Sequence, residues 1–245
     1  MHEKVALVTG GARRVGAGIV RELHTHGWRI LLHYRHSQKE ADHLAAELNA
    51  IRSNSVATCQ LDLLQTAHLP ALIDAALVNF GRLDALINNA SSFYPTPVGQ
   101  IGEPAWDDLI GSNLKAPLFL AQAAASELTR TQGCIVSIAD IHVERPLAGH
   151  PVYTIAKAGI VAMTKALARE LAPAVRVNAV APGVNLWPEN ETWFDAPARE
   201  RIQATIPLGR TGEPQDIAHA IRFLLEAPYV TGAILPVDGG RSLHL

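Results

Sequence analysis

Short apolar runs alternate with helical stretches along the whole chain, and this alternation constrains the fold more than any other feature. Val5–Val8 is apolar throughout and closes on Thr9-Gly10-Gly11. Arg14–Gly27 has helical spacing, with Val15, Ile19, Val20 and Leu23 on one side. Arg29–Tyr34 is a second strand, Gln38–Ile51 a polar-amphipathic helix, Val56–Leu61 a third strand, and Leu69–Phe80 a helix stopped by Gly81. Ala85–Ile87 opens a fourth strand before Asn88-Asn89-Ala90. The spacing then predicts a long helix from about Trp106 to Thr129, a strand at Cys134–Ile138, a helix at Val152–Leu171 and a strand at Val175–Val180. A helix at Pro214–Leu225 and a strand at Ile234–Val237 precede Asp238-Gly239-Gly240. Strands apolar on both faces and separated by helices imply a parallel sheet covered on both sides. Right-handed crossovers make it doubly wound. The expected fold is therefore α/β, a Rossmann-like sheet of about seven strands. With no repeat, low-complexity tract or linker, residues 1–245 read as one domain.

Composition excludes several function classes. A chain of 245 residues that is 48% hydrophobic with a formal net charge of -2 is not intrinsically disordered. Twenty-one Lys and Arg against 23 Asp and Glu leave no basic excess for nucleic acid. Cys59 and Cys134 make no disulfide framework and read as buried thiols of a reducing compartment. No run reaches the ~18 apolar residues of a membrane helix. The run Val5–Val8 is too short for a signal peptide. The expectation is a soluble cytoplasmic protein with no membrane or nucleic-acid partner. Of the eleven histidines, His24 and His26 point to different faces of a helix, and no cluster has zinc spacing, so no metal is expected. His150, three before Tyr153, reads as solvated.

The turn Thr9-Gly10-Gly11-Ala12-Arg13-Arg14-Val15-Gly16 follows the first strand at the edge where doubly wound folds bind ligands. Glycines admit a pyrophosphate to the backbone, and the following helix N-terminus favours negative charge. Arg14 stands where the usual G-x-G-x-x-G has its middle glycine, placed to pair with phosphate or reach the substrate. A tight turn with no ligand is the plainer alternative. The second strand ends in His33-Tyr34-Arg35-His36-Ser37 with no carboxylate to bind a ribose 2′-OH. Arg35, His36 and Ser37 suit a 2′-phosphate, which favours NADPH. Asp62 suits the adenine edge, and Asn88-Asn89-Ala90 the ribose.

Tyr153 and Lys157 lie four apart on a helix and share a face. An ammonium beside a phenol favours the phenolate and makes the phenol more acidic, as a general acid beside a hydride donor requires. Together with Thr9-Gly10…Gly16, Asp62, Asn88-Asn89-Ala90, Asn113, Pro182-Gly183 and Asp238-Gly239-Gly240, the Tyr-x-x-x-Lys pattern resembles the short-chain dehydrogenase/reductase family along essentially the whole chain. The resemblance implies that Tyr153 donates a proton, Lys157 also binds the nicotinamide ribose, and Asn113 supports a proton-relay water chain. It places Gly10, Arg14, Val15, Gly16, Tyr34, Arg35, His36, Ser37, Asp62, Leu63, Asn89, Ala90, Ser91, Tyr153, Lys157, Pro182 and Gly183 at the NADPH site.

Most members carry a serine thirteen positions before the tyrosine; here Asp140 stands there, and Ser137 is three positions too early. An ionised aspartate donates no hydrogen bond to an oxyanion, but it relays a proton. A dead site is the bland alternative. Arg14, Asp140 and the run Asn89-Ala90-Ser91-Ser92-Phe93-Tyr94-Pro95 are similar to those of pteridine reductases. That resemblance implies a catalytic set of Asp140, Tyr153, Lys157 and Asn113. It implies a pterin stacked between Phe93 and the nicotinamide, bonded by Ser91 and near Arg14, with Leu186 and Trp187 bordering it. The short Val98–Trp106 segment points to the bacterial type rather than the parasite one, and the tail Arg241–Leu245 lacks the final arginine of some relatives. A homotetramer is implied by the family and agrees with the apolar stretches Pro117–Leu128 and Ile160–Leu171. A carbonyl reductase, acting on an oxoacyl thioester or a sugar, and an NADPH-binding regulator without turnover are the alternatives. Pro182–Pro197, with Trp187 and Trp193, reads as a loop over the site or a surface excursion.

Overall fold

The computed structural model describes residues 3–187 and 195–243. Seven parallel strands form one sheet: β1 (Val5–Val8), β2 (Arg29–Tyr34), β3 (Val56–Gln60), β4 (Ala85–Asn88), β5 (Cys134–Ile138), β6 (Arg176–Pro182) and β7 (Ile234–Val237), in the order β3-β2-β1-β4-β5-β6-β7. Leu7 is in register with Leu31 on one side and Leu86 on the other. Strand side chains alternate between faces, so both faces of each strand need cover. Ala6, Val8, Ile30, Leu32, Ile87 and Val136 pack under α1 (Arg14–Thr25), α2 (Gln38–Ile51) and α8 (Pro214–Glu226). Val5, Leu7, Leu31, Leu86, Ile135 and Val177 pack under α3 (Pro70–Phe80) and α5 (Ala116–Thr131). The α6 helix (Pro151–Glu170) covers the β6 end through Ile160 and Met163 against Ala179 and Ala181.

The long helix expected over Trp106–Thr129 is divided. It begins as α4 (Glu103–Ile110), widens through one π-type turn at Gly111–Lys115, and continues as α5. Such a turn admits one extra residue and often marks a functional site; here it carries Asn113. The Pro182–Pro197 stretch ends in a helix, α7 (Ala196–Ala204), capped by the Asp195 carboxylate on the Ala198 N–H. Trp193, His244 and Leu245 lie outside the described residues. Cys134 is buried, whereas Cys59 is only half-buried. Among the described residues no helix is long and apolar enough to cross a membrane.

Because the strand order reverses between β1 and β4, their C-terminal ends bound the crevice where such folds take ligands. Leu86 is fully buried in the sheet beneath that crevice. Leu86→Ala is expected to cost roughly 2–5 kcal/mol of stability, read from the midpoint shift in a urea titration at unchanged slope.

Candidate active site

The turn after β1 is held by groups from β2 and β4. Gly10 has φ +62°, a conformation that favours glycine. Its N–H donates to His33 Nδ1 at 3.1 Å, and His33 Nε2 donates to the Leu61 carbonyl at 3.0 Å. Burial pushes the His33 pKa down, so the ring stays neutral and able to accept. Thr9 Oγ1 accepts from the Asn89 and Ala90 N–H groups, while Asn89 Nδ2 donates to the carbonyls of Thr9 and Gly10. A Cβ on Gly16 would lie 2.0 Å from the Gly10 oxygen. The backbone is therefore drawn tightly into the mouth of α1, whose first turn holds no acidic residue. This glycine cradle at a helix N-terminus fits a pyrophosphate. Thr9 and His33 stand in the motifs read from the sequence, but their roles here are contacts across strands that spacing does not show.

At the β2 end, Arg35 and His36 are exposed and Ser37 half-buried. Arg35 Nε donates to His36 Nε2 at 2.7 Å, and its guanidinium lies 3.8 Å from Asp62. Arg35 and Asp62, expected to serve the 2′-phosphate and the adenine separately, are thus paired with each other. Tyr34, placed by resemblance at the cofactor, instead packs its ring into the core with Leu44 and Leu48, since its position on β2 faces α2. Val15 and Leu63 likewise turn their side chains to core clusters.

Asp140 follows β5 and Tyr153 lies in the first turn of α6. The Tyr153 hydroxyl donates to Asp140 Oδ2 at 2.7 Å, and Asp140 Oδ1 accepts the His142 N–H at 2.8 Å. Lys157 Nζ donates to the Ile138 carbonyl at 2.8 Å and lies 5.7 Å from the Tyr153 ring centre. Burial pulls the Lys157 pKa down to about 8, with Asp140 holding it up. Burial first, and Asp140 second, push the Tyr153 phenol well above its ordinary value. The phenol is thus held protonated, as a donor. Ser137 is fully buried and accepts from Asn88 Nδ2, so it takes no part.

Asn113 does not bond to Lys157. Its amide donates to the carbonyls of Leu109 and Ser92 and accepts from the Ser91 hydroxyl, tying the segment after β4 to the π-type turn. Phe93 leads on from that segment, its ring 4.9 Å from Tyr153 at 82°. His150 stacks on Phe93 at 4.8 Å and is buried, not solvated as its sequence context suggested. Packing of the Ala148–His150 turn against Thr96 encloses it, through the Thr96 N–H bond to the Gly149 carbonyl.

At the end of β6, Pro182 pairs with Val237, and Gly183 backs onto Asp238, which a Cβ on Gly183 would strike at 2.6 Å. Arg14 reaches across the mouth to the carbonyls of Leu186 and Trp187 at 3.1 and 2.8 Å. Leu186 is exposed, and Trp187 has the Arg199 guanidinium over its ring at 5.5 Å. Ser91, Phe93, Asp140, Leu186 and Trp187 follow strands β4, β5 and β6, while Arg14 opens α1 and Tyr153 lies in the first turn of α6. Among the described residues no His, Cys, Asp and Glu cluster of three or more could hold a metal.

A family model described as enoyl-(acyl carrier protein) reductase matches residues 10–242. Pteridine reductase 1 of Leishmania tarentolae is 37% identical over 281 aligned positions, covering 98% of this chain and 96% of that protein. Granaticin polyketide synthase putative ketoacyl reductase 2 of Streptomyces violaceoruber is 34% identical, with 98% and 96% covered. A 3-oxoacyl-(acyl-carrier-protein) reductase FabG of Staphylococcus aureus is 33% identical, with 98% of each chain covered.

The Lys157 ammonium is expected to lose its proton around pH 8. Because Asp140 supports the charged form, Asp140→Asn moves that midpoint lower. Titration of 15N-labelled lysine by NMR, with Lys157→Met for assignment, reads both; an unmoved midpoint contradicts the coupling.

Proposed function

The chain belongs to the short-chain dehydrogenase/reductase family of NAD(P)-dependent oxidoreductases, and from that premise we propose that it is an NADPH-dependent pteridine reductase of bacterial type. Its substrate is a dihydropterin such as dihydrobiopterin, with dihydrofolate or dihydromonapterin as variants of the same ring. The observation that carries this reading is the 2.7 Å bond from Tyr153 to Asp140 at the position where a carbonyl-binding serine is usual in the family.

Bound NADPH supplies a hydride to the ring carbon of a C=N bond. The glycine turn at Gly10 and Gly16 would hold its pyrophosphate, and Arg35, His36 and Ser37 would hold its 2′-phosphate. Lys157 would hold the nicotinamide ribose, with Asn89, Ala90 and Ser91 lining the same site. Phe93 supplies a flat apolar face for a heteroaromatic ring. The protein's chemical task is to place a proton on the ring nitrogen. Tyr153 carries that proton, but giving it up leaves a phenolate beside a carboxylate, which like charge opposes. Asp140 removes the obstacle by relay. Once it has taken a proton from solvent, it donates to the Tyr153 oxygen as that oxygen gives its own proton to the ring nitrogen. Lys157, charged below about pH 8, offsets the negative charge shared by the pair.

The second reading, reduction of a 3-oxoacyl thioester, is favoured by the ketoacyl reductase relatives. It would use a second donor to the substrate carbonyl beside Tyr153, which the family's usual serine supplies in its ordinary neutral form and Asp140 supplies only while it carries the proton of the relay. Two measurements separate the readings. Loss of NADPH absorbance is expected with dihydrobiopterin and not with an acetoacetyl thioester; turnover of the thioester alone overturns the pterin reading. Asp140→Ala and Tyr153→Phe are each expected to lower kcat by about a hundredfold or more, while NADPH binding, followed by fluorescence, stays within a few-fold.

The reading includes a homotetramer. Leu118 and Phe119 on α5 and Ile155 on α6 are exposed apolar side chains on helices that flank one face. Light scattering is expected to give four times the 26.3 kDa chain mass, and a monomer mass would remove that part of the proposal.

A further inference from the structure

Arg241 is buried to 6% exposure, close to the site yet outside its expected residues. It opens the last helical turn (Arg241–Leu243), just after the Asp238-Gly239-Gly240 bend. Asp238 fixes that bend by accepting the N–H groups of Gly240 and Ser242. The guanidinium donates through Nε to Thr205 Oγ1 at 3.2 Å and meets His142 Nε2 at 3.4 Å. Both acceptors are neutral when His142 carries its proton on Nδ1, which then donates to the Arg145 carbonyl at 3.0 Å. A guanidinium stays charged in proteins, and a buried cation needs negative charge nearby. Asp140 and Asp238 are the carboxylates that support it, against the pull of burial. The His142 backbone N–H in turn grips Asp140 Oδ1, leaving Oδ2 to accept Tyr153. A continuous chain of contacts therefore runs from the C-terminal turn to the phenol: Arg241, the His142 ring, the His142 N–H, Asp140, Tyr153.

We propose that Arg241 is a positioning residue for the Asp140–Tyr153 pair: by holding the His142 ring it anchors the turn that carries Asp140 and keeps its carboxylate turned to the Tyr153 hydroxyl. The groups around that carboxylate are Tyr153 and Lys157 from α6, His142 from its own turn, and Arg241 with Asp238 from the C-terminal bend. Two cations thus flank it from different elements: Lys157 ties the segment before Asp140 through the Ile138 carbonyl, and Arg241 ties the turn after it through the His142 ring. The inference deepens the proton relay proposed above, but its test is readable without any substrate.

Label the hydroxyl-bearing ring carbon of the chain's four tyrosines and assign Tyr153 with Tyr153→Phe. At neutral pH, Asp140→Asn displaces that resonance by altering the hydrogen bond. Arg241→Gln is expected to displace it in the same direction by a comparable amount, and Arg241→Lys by less. An unmoved resonance in Arg241→Gln overturns the proposal. Should Arg241→Gln not fold, His142→Leu replaces it, since it removes the bridging ring and leaves the cation; its unmoved resonance is equally decisive against. In turnover, Arg241→Gln is expected to lower kcat roughly tenfold or more with KM for NADPH unchanged, and to add nothing in an Asp140→Ala background. Equal losses in both backgrounds indicate a merely structural role and overturn the proposal. If no pterin is turned over but the resonance moves, the substrate assignment fails and the role of Arg241 stands.

Discussion

Every strand of the sheet is parallel, and its central strands are buried on both faces. A parallel neighbour can be reached only by crossing back over a face, so each connection is a helical layer and each strand ends at the same edge. The apolar content of Val5–Val8, Arg29–Tyr34 and Ala85–Asn88 demands that cover. The covering helices in turn deliver Gly10, Arg35, Asn89, Asp140 and Pro182 to one rim. The functional edge is thus a geometric consequence of burying two faces at once. Reversal of the strand order between β1 and β4 opens that edge into a crevice.

Within the crevice, burial and charge set the chemistry together. Lys157 and Tyr153 are both enclosed, and burial moves each toward its neutral form: the ammonium downward, the phenol upward. Asp140 acts on both, supporting the cation and opposing the phenolate. The site therefore holds one protonated phenol, one carboxylate and one readily titrated amine within a few bonds of each other. A serine at position 140 would leave the phenol without an ionic acceptor and the amine without its counter-charge. The aspartate is a change in the electrostatics of the whole site, and for that reason it carries more weight for substrate class than the shared glycine turn.

The rim cations are already engaged by the protein. Arg14 binds two carbonyls beyond β6, and Arg35 pairs with Asp62. Phosphate oxygens offer these guanidinium groups stronger, bidentate partners.

Spacing within one element is visible in a sequence because helix and strand periods are fixed by the backbone. That is why the seven strands, the glycine turn and the Tyr153–Lys157 face could be read directly, and why the Asp140 substitution stood out once the family pattern was aligned. Element ends were less legible: the helix over Trp106–Thr129 widens at Gly111–Lys115 because Asn113 bonds into the segment after β4. Contacts between elements far apart in the chain leave no period to read. His33 holding Gly10, His150 stacked on Phe93, Tyr34 turned into the core and Arg241 joined to His142 all depend on how layers pack. Sequence alone determined the order of strands and helices and which polar residues lie near which strand ends. Only the tertiary structure decided which groups share a proton or a charge, because that depends on distances of a few ångströms across elements that the backbone's own periodicity does not fix.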